Sequence, residues 1–537
     1  MKEKIREILL QSLKENNIEY QEDIIIENPN KKDNGDYSTN LALRLTKLLH
    51  KNPLEIAQNI TNKINSDLFT KVEIAKPGFI NFYMDKKYLL DNINTVLNRQ
   101  ENYGRNNIGN HKRYNLEFVS ANPTGILHLG NARGGAYGDS LARILRFSGY
   151  DVTEEYYVND AGNQVNNLAL SIEARYKTIC GIPTDLPENG YHGQEIIEIA
   201  KNLYNEHQDT LLNENIEYYK NLGINILLDK IKKVLKDYRI NYDVYTSEKS
   251  IYKTHPIPEI INKLTTNGYT YEQEGATWLK ASELGDTKDH VLVKADGLYT
   301  YLVPDIAYHI DKIERGYDHL IDVFGTDHHG YVARLKGSLK ALGYNPDILD
   351  VKLLQLVRLV SNGEEIKMSK RTGKIVSLQE LIDLVGINAA RYFFVSRSLD
   401  TQMDFDLDLA TKKSNENPVY YVSYAYARIC NILNNYEGKI TNVTEYKTIN
   451  SPEAYNVLEQ IYKFNEVVIS AATKELPHLI TNYVYDLAES FHSLYSKERI
   501  ITEDKEKTNE YLNLISAVKV TLKNALDLIG VIPPEKM

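Results

Sequence analysis

Cysteine is nearly missing: the 537 residues hold two, Cys180 and Cys430, far apart and outside any Cys-x-x-Cys spacing. A disulfide scaffold and a cysteine zinc site are both excluded on that count, and such sparing use fits a reducing, cytoplasmic setting. No apolar run reaches the roughly 18 residues that a membrane span needs, and the mean hydropathy is -0.42. The opening segment, residues 1–13, is charged and amphipathic, with Ile5, Leu9 and Leu13 on one stripe. It lacks the apolar centre of a signal peptide. Tryptophan occurs once and phenylalanine 11 times, against 40 tyrosines. Tyrosine packs a core while keeping a polar tip, so packing accounts for the skew. Positive charge is also in deficit, 63 Lys+Arg against 73 Asp+Glu for a net charge of -10. That sum does not exclude a polyanionic ligand, because the field at a surface depends on where charges sit, and an acidic enzyme can carry a basic groove.

What is present is an ordinary globular balance, 42% hydrophobic and 25% charged, in a chain long enough for about three or four domains. Residues 1–110 are predicted to form a small appended α/β domain. It has an opening helix, a turn-rich stretch at 28–36, a helix over 39–49, and a hairpin of 72–75 with 79–83 about Lys76-Pro77-Gly78. The polar stretch 100–112 is the expected linker. Residues 111–415 then alternate strand and helix. A strand at 114–119 and a loop at 120–127 lead into a helix carrying Gly134, Gly135 and Gly138, which stops near Gly149, and a strand follows at 152–158. A second such stretch has a helix at 305–314, a strand at 319–324, a helix at 331–342 and a strand at 351–360. Two halves separated by an insertion at about 165–290 predict a Rossmann-type, doubly wound parallel sheet split by an inserted subdomain. Residues 416–537 read as an all-α bundle, with helices at 453–468, 472–493 and 507–528 and a tyrosine-rich helix from 420.

Two segments carry the chemistry. Asn122-Pro123-Thr124-Gly125-Ile126-Leu127-His128-Leu129-Gly130-Asn131 sits where the first strand turns into a helix. Backbone N–H groups and the dipole at such a start attract anions. Gly130 allows a flat base to approach the backbone, and His128 and Asn131 are expected donors to phosphate oxygens. The alternative is a turn with a capping histidine. The second segment, Lys367-Met368-Ser369-Lys370-Arg371-Thr372-Gly373-Lys374, places four cations in eight residues. Alone it reads as a solvated face. Paired with the first across the carboxyl edge of one sheet, it reads as a nucleotide site.

With both segments in this order the chain resembles the class I aminoacyl-tRNA synthetases, and the longer strings resemble arginyl-tRNA synthetase of the bacterial type. Those strings run from Glu117 to Gly125, from Tyr156 to Gln164, from Lys367 to Gly373, from Asn388 to Phe394 and from Ser414 to Tyr421. The similarity extends from Gly35-Asp36-Tyr37 to the closing Pro533-Pro534-Glu535-Lys536-Met537. It implies an enzyme that joins arginine to ATP, releasing pyrophosphate, and passes arginine to the 3′ end of tRNA(Arg). The implied partners are L-arginine, ATP and tRNA(Arg). Mg²⁺ is expected to accompany ATP without a dedicated protein metal site, and a cytoplasmic monomer is expected. The 416–537 bundle would read the anticodon stem and loop and the 1–110 domain the tRNA corner, and bound tRNA would be required before arginine is activated.

The resemblance assigns His128, Asn131, Lys367 and Lys370 to catalysis, where alignment and charge neutralisation suffice because the attacking carboxylate is already ionised. Asn131 departs from the family pattern, which ends in a second histidine; an amide still donates to phosphate but carries no charge. ATP contacts are expected at Gly125, His128, Gly130, Asn131, Gly325, Asp327, His328, Met368 and Ser369. Arginine contacts are expected at Glu117, Ser120, Asn122, Tyr301 and Asp305, with Glu117 and Asn122 at the α-amino end and Tyr301 and Asp305 at the guanidinium. Against these stand a surface carboxylate at Glu117 and a helix cap at Asp305. Asp327-His328-His329 has a rival reading as a metal site, disfavoured because adjacent residues on a helix start point about 100° apart. Asp404 to Leu409 lacks the glycine and closing glutamate of a calcium loop and reads as an alternating segment with one packed face. The cluster from Tyr420 to Tyr426 suits packing or stacking on anticodon bases. Asn159, Asp160, Asn163 and Gln164 match the family strings without an evident role. A related nucleotidyltransferase and a silent tRNA binder are the rival functions.

Overall fold

Ile5, Leu9 and Leu13 line one stripe of helix α1 (Lys2–Glu15) and are at most 1% exposed, as the amphipathic pattern requires. The stripe shares a core with α2 (Leu41–Leu49), α3 (Pro53–Thr61) and an antiparallel sheet of β1 (Ile26–Glu27), β2 (Tyr37–Thr39), β3 (Phe69–Ala75) and β4 (Phe79–Met84), ordered β1-β2-β4-β3. The expected hairpin is β3–β4, its first strand three residues longer than predicted. Helix α4 (Lys86–Arg99) follows, capped by the Asp85 carboxylate. This computed structural model describes every residue except Asn30, Asp327, His328 and residues 367–375. It divides into two units, and the first, Met1–Gln100, also takes in Gly438–Tyr462 and Ser493–Ala517. Within it Asn94 donates to the Val443 carbonyl at 2.8 Å and accepts from Tyr446 at 3.0 Å. The first domain is therefore completed by two C-terminal segments that the expected boundary at 416 assigned wholly to the bundle.

The second unit is organised by a parallel sheet. Strand β5 (Arg113–Glu117) leads through α5 (Leu129–Phe147) to β6 (Asp151–Val158). Helices α6 (Asn163–Ile179), α7 (Gln194–His207) and α8 (Ile216–Asp237) gather around Leu168, Ile172, Ile199 and Tyr219. Then β7 (Val244–Ser247) pairs in parallel with β6. After α9 (Glu248–Thr254) and α10 (Ile257–Thr266) come three short antiparallel strands, β8 (Thr270–Gln273), β9 (Ala276–Leu279) and β10 (His290–Val293). Helix α11 (Leu302–Glu314), β11 (His319–Gly325), α12 (His329–Ala341) and β12 (Leu349–Leu354) complete the sheet in the order β12-β11-β5-β6-β7, every pair parallel. The winding reverses between β5 and β11, so a crevice opens at their carboxyl ends.

Two expectations change. The stretch 165–290 is not one insert, because β7 belongs to the main sheet and separates a helical insert from a mixed one. The strand expected over 351–360 is broken in two. Gln355 gives its N–H to Leu399 and its carbonyl to Arg133, which ends the β12 ladder. The chain resumes as β13 (Val357–Ser361) in a separate sheet with β14 (Glu364–Glu365), and after α13 (Leu378–Val385) and α14 (Ile387–Val395) with β15 (Met403–Asp406). The acidic run is accounted for here: Met403 and Phe405 are buried, Asp404 pairs bidentately with Arg358 at 2.7 and 2.8 Å, and Asp406 caps α15 (Leu407–Thr411).

The chain ends in helices α16 (Pro418–Asn434), α17 (Pro452–Lys474), α18 (His478–Lys497) and α19 (Lys505–Leu528). The single helix expected over 472–493 is two: Glu475 adopts φ 56°, and Pro477 cannot continue the helical ladder. Among the described residues no helix is long and apolar enough to cross a membrane.

Candidate active site

The site begins with backbone strain at the end of β5. Val119 and Ser120 adopt φ 68° and 35° in succession, a left-handed pair that costs about 1–3 kcal/mol per residue. That turn ends the strand two residues before the predicted position. It is held from several sides: Tyr242 donates to the Phe118 carbonyl at 2.9 Å, Tyr156 to the Ala121 carbonyl at 2.6 Å, and the Tyr157 N–H to Ser120 Oγ at 3.0 Å. Ser120 Oγ in turn donates to Glu117 Oε1 at 2.9 Å. Sequence reasoning missed Val119, and only a structure exposes it, since a β-branched residue is a poor guess for positive φ.

Beyond the turn, α5 starts on a reciprocal cap. The Gly130 N–H donates to His128 Nδ1 at 3.1 Å, and Asn131 Oδ1 accepts from the His128 N–H at 3.0 Å. The capping alternative is what the bonds show, and the same two residues also line a cavity of about 470 Å³ with Gly134, Gly325, Thr326 and Gln355. The cap has chemical consequences. With Nδ1 accepting, the neutral imidazole carries its proton on Nε2. With Oδ1 engaged inside the cap, the amide nitrogen is the donor that Asn131 retains. A Cβ at Gly130 would meet only the His128 ring, at 3.0 Å, whereas one at Gly138 would come within 2.2 Å of the Phe118 ring. Gly138 thus lets α5 lie close on β5. Gly125 has open space beside it and lines neither this cavity nor the next.

A second cavity, about 780 Å³, adjoins the first and shares Val119, Val323 and Gly325 with it. All five residues expected at arginine line it: Glu117, Ser120, Asn122, Tyr301 and Asp305. Neither structural alternative survives. Glu117 is 6% exposed on a central strand, and Asp305 lies four residues inside α11, whose cap is Tyr301. Tyr301 stands at the rim, 78% exposed. Tyr331 donates to Asp305 Oδ2, and Asn122 Nδ2 donates to Gln164 Oε1 at 2.7 Å. Burial pushes the Glu117 carboxyl upward, against the pull of the Lys312 ammonium.

The cavity also explains part of the string whose role was open. Asp160 accepts from Ser247 Oγ at 2.6 Å and from the Lys249 N–H at 3.0 Å, pinning the start of α9. With its amide nitrogen turned toward acceptors, Asn159 donates to Glu248 Oε2 at 3.1 Å. Glu248, the first residue of α9, is a third carboxylate lining the cavity, its pKa raised by burial. Nothing in the local sequence singles it out. Asp327, His328, Lys367, Met368, Ser369 and Lys370 lie outside the described residues.

Elsewhere, His319, Asp350 and Glu475 come close enough to share a cation, but the Lys352 ammonium already pairs with both carboxylates. Tyr420 stacks on Tyr424 and Tyr424 on His492, with Arg428 over the Tyr424 ring at 4.4 Å, a half-buried column along α16 and α18.

Comparison with known proteins agrees along the whole chain. Three family descriptions match in order: "Arginyl tRNA synthetase N terminal domain" over residues 2–84, "tRNA synthetases class I (R), catalytic domain" over residues 92–393, and "DALR anticodon binding domain" over residues 422–537. The arginine–tRNA ligase 1 of Halalkalibacterium halodurans is 48% identical over 552 aligned positions, 100% of this chain and 99% of that protein. The arginine–tRNA ligase of Bacillus subtilis is 49% identical over 524 positions, 96% of this chain and 94% of that one. Among solved structures, the arginyl-tRNA synthetase of Thermus thermophilus superposes with a TM-score of 0.78 at 22% identity, covering 100% of both chains, and speaks to the fold alone.

Proposed function

The chain belongs to the arginyl-tRNA synthetase family, and we infer from that premise how its residues do the work of an arginine–tRNA ligase, which activates L-arginine with ATP and charges tRNA(Arg). The observation that carries the assignment of residues is the pair of adjoining cavities. One is lined by Glu117, Asp305 and Glu248 and suits a cation; the other is lined by His128 and Asn131 and suits an anion. Arginine laid across them puts its guanidinium and ammonium among carboxylates and its carboxylate beside the α-phosphate.

In the first step a carboxylate oxygen of arginine forms a bond to the α-phosphorus while the bond to pyrophosphate breaks. No general base is needed. His128 Nε2–H and the Asn131 amide donate to phosphate oxygens, and Lys367 and Lys370, assigned by motif, neutralise the departing pyrophosphate. In the second step a terminal ribose hydroxyl of tRNA attacks the carbonyl of the adenylate and AMP leaves. Mg²⁺ belongs with the nucleotide: among the described residues the phosphate-side cavity offers imidazole and amide donors and no carboxylate. Gly325, which lines both cavities, is assigned to ATP by motif, as are Asp327 and His328. The C-terminal helices read the anticodon arm and the first domain the tRNA corner, in a cytoplasmic monomer that requires tRNA to activate arginine.

Transfer of labelled arginine to tRNA, with lysine as competitor, is the test. Charging with arginine alone is expected. Shifting tRNA in a gel without charging it would mark a silent binder, and adenylation without charging a nucleotidyltransferase. Fast pyrophosphate exchange without tRNA would refute the tRNA requirement.

A further inference from the structure

Behind the carboxylate cavity four ionisable side chains from three elements form a closed set. Lys312 on α11 donates to Glu117 on β5 and, at 2.8 Å, to Asp322 Oδ1 on β11. Its ammonium also lies 4.3 Å from the centre of the Tyr308 ring, which accounts for its remaining proton. His309 Nε2 lies 2.6 Å from Asp322 Oδ2, and His309 Nδ1 lies 2.7 Å from the Asp305 carbonyl. Both oxygens are acceptors only, so the ring bonds to both as the doubly protonated imidazolium. Lys312 and Asp322 are 0% exposed and His309 1%. Two cations therefore balance two anions in a buried cluster, and of the four only Glu117 and His309 line the cavity.

We propose that Lys312, backed by the Asp322–His309 pair, is a positioning residue for arginine: it keeps Glu117 ionised and turned to the cavity, so that the pocket offers a cationic substrate a carboxylate acceptor rather than a protonated acid. The proposal rests on the assignment of Glu117 to the arginine site. Its physical basis is that a carboxylate buried this deeply takes up a proton unless a cation faces it. The other charged groups nearby are already engaged. Glu155 on β6 is held by Arg315 at 2.8 Å, Asp305 by Tyr331, and Glu248 by Tyr252. Lys312 is thus the only cation among the described residues in direct contact with Glu117. His309 acts one step away, because by pairing with Asp322 it limits how far Asp322 draws the ammonium off Glu117. Burial works against the imidazolium, but the Asp322 carboxylate outweighs it and raises the pKa.

The test is the pH profile of kcat/KM for arginine in tRNA charging, with ATP and tRNA saturating, for the full-length wild type, Lys312→Met, Lys312→Arg and Glu117→Gln. Without the ammonium the Glu117 pKa rises further, so the acid limb of Lys312→Met should move to higher pH by at least a full unit. At pH 7 its kcat/KM for arginine should fall at least tenfold through KM, recovering as pH rises, with the KM for ATP within twofold of wild type. Lys312→Arg, which keeps the charge, should hold the limb in place. A loss in Lys312→Met that is equal at every pH, or shared with ATP, would overturn the proposal and leave Lys312 a packing residue. Should Lys312→Met not fold, His309→Asn gives the same reading: a limb shifted up by a smaller amount supports the proposal, and an unmoved limb overturns it. Glu117→Gln separates the two levels. Wild-type arginine kinetics in that variant would refute the assignment of Glu117 itself, whereas an impaired Glu117→Gln beside an unshifted Lys312→Met would refute only the role of Lys312.

Discussion

Asp305→Asn isolates the charge proposed to select guanidinium. The carboxylate accepts from Tyr331 and lies on the wall of the cavity one turn into α11 from Tyr301. An asparagine keeps a carbonyl oxygen for the Tyr331 hydroxyl, so the local fold should persist. What disappears is one charge-assisted pair with the substrate, a contact worth about 1.5–3 kcal/mol. At about 1.4 kcal/mol per decade, the KM for arginine should rise roughly 10- to 150-fold. Asp305 is partly open to solvent, which argues for the lower half of that range because water screens the pair. Asp305→Ala also removes the carboxylate acceptor of the Tyr331 hydroxyl, a further loss of about 1 kcal/mol, part of which should appear as a lower Tm. The assay is steady-state charging with arginine varied and ATP and tRNA saturating. Arginine KM and kcat both within twofold of wild type in Asp305→Asn would remove this residue from the pocket.

Other outcomes follow from single contacts. Asn131→His replaces the oxygen that accepts from the His128 N–H and should change pyrophosphate exchange by less than tenfold; acceleration by several orders of magnitude would show that the amide is a defective donor. Asp160→Ala removes the acceptor for Ser247 and for the Lys249 N–H, so it should lower stability by about 1 kcal/mol, as loss of a helix cap does, and raise the arginine KM by loosening Glu248; a shift in Tm alone would mean that α9 does not depend on this cap for its position. Gly138→Ala forces a methyl to within 2.2 Å of the Phe118 ring, and overpacking of this kind costs about 1–3 kcal/mol, visible as a lower Tm; an unchanged Tm would show that α5 can move off β5 freely.

Periodicity was enough to place most of the parallel sheet, and it failed where tertiary bonds overrode it. The expected strand over 351–360 is seven parts Val and Leu to three polar residues, yet Leu399 and Arg133 take both backbone groups of Gln355 and divert the chain into a second sheet. The edge strand β7 was hidden inside the supposed insert because four residues between two helices carry too little alternation to register. At the site, residues within quoted motifs were legible by type and order, and Glu117, Ser120, Asn122, Tyr301 and Asp305 do converge on one cavity. Glu248, Lys312 and His309 were not legible. Glu248 opens a seven-residue helix far from any motif, and Lys312 and His309 look, in sequence, like polar members of an amphipathic helix. Their role depends on which strand α11 packs against, information that no single segment contains.

The strained turn at Val119 and Ser120 ties these observations into one design. A regular strand continuing through position 119 would carry Ser120 onward along β5, and Glu117 would lose the hydroxyl that accounts for one of its oxygens. The left-handed pair instead folds the chain back so that Ser120 Oγ sits between Glu117 Oε1 and the Tyr157 N–H. The following loop is then free to lead to the His128 cap. One face of the turn ends a carboxylate-lined cavity and the other begins a donor-lined one, with Val119 common to both. An amino acid carries its cation and its anion two bonds apart at the α-carbon, so a site that activates it needs opposite fields separated by no more than a residue or so. A smooth strand end cannot supply that reversal over so short a distance. The conformational cost at Val119 and Ser120 is offset by the three hydrogen bonds from Tyr242, Tyr156 and the Tyr157 backbone, and it sets the two fields side by side.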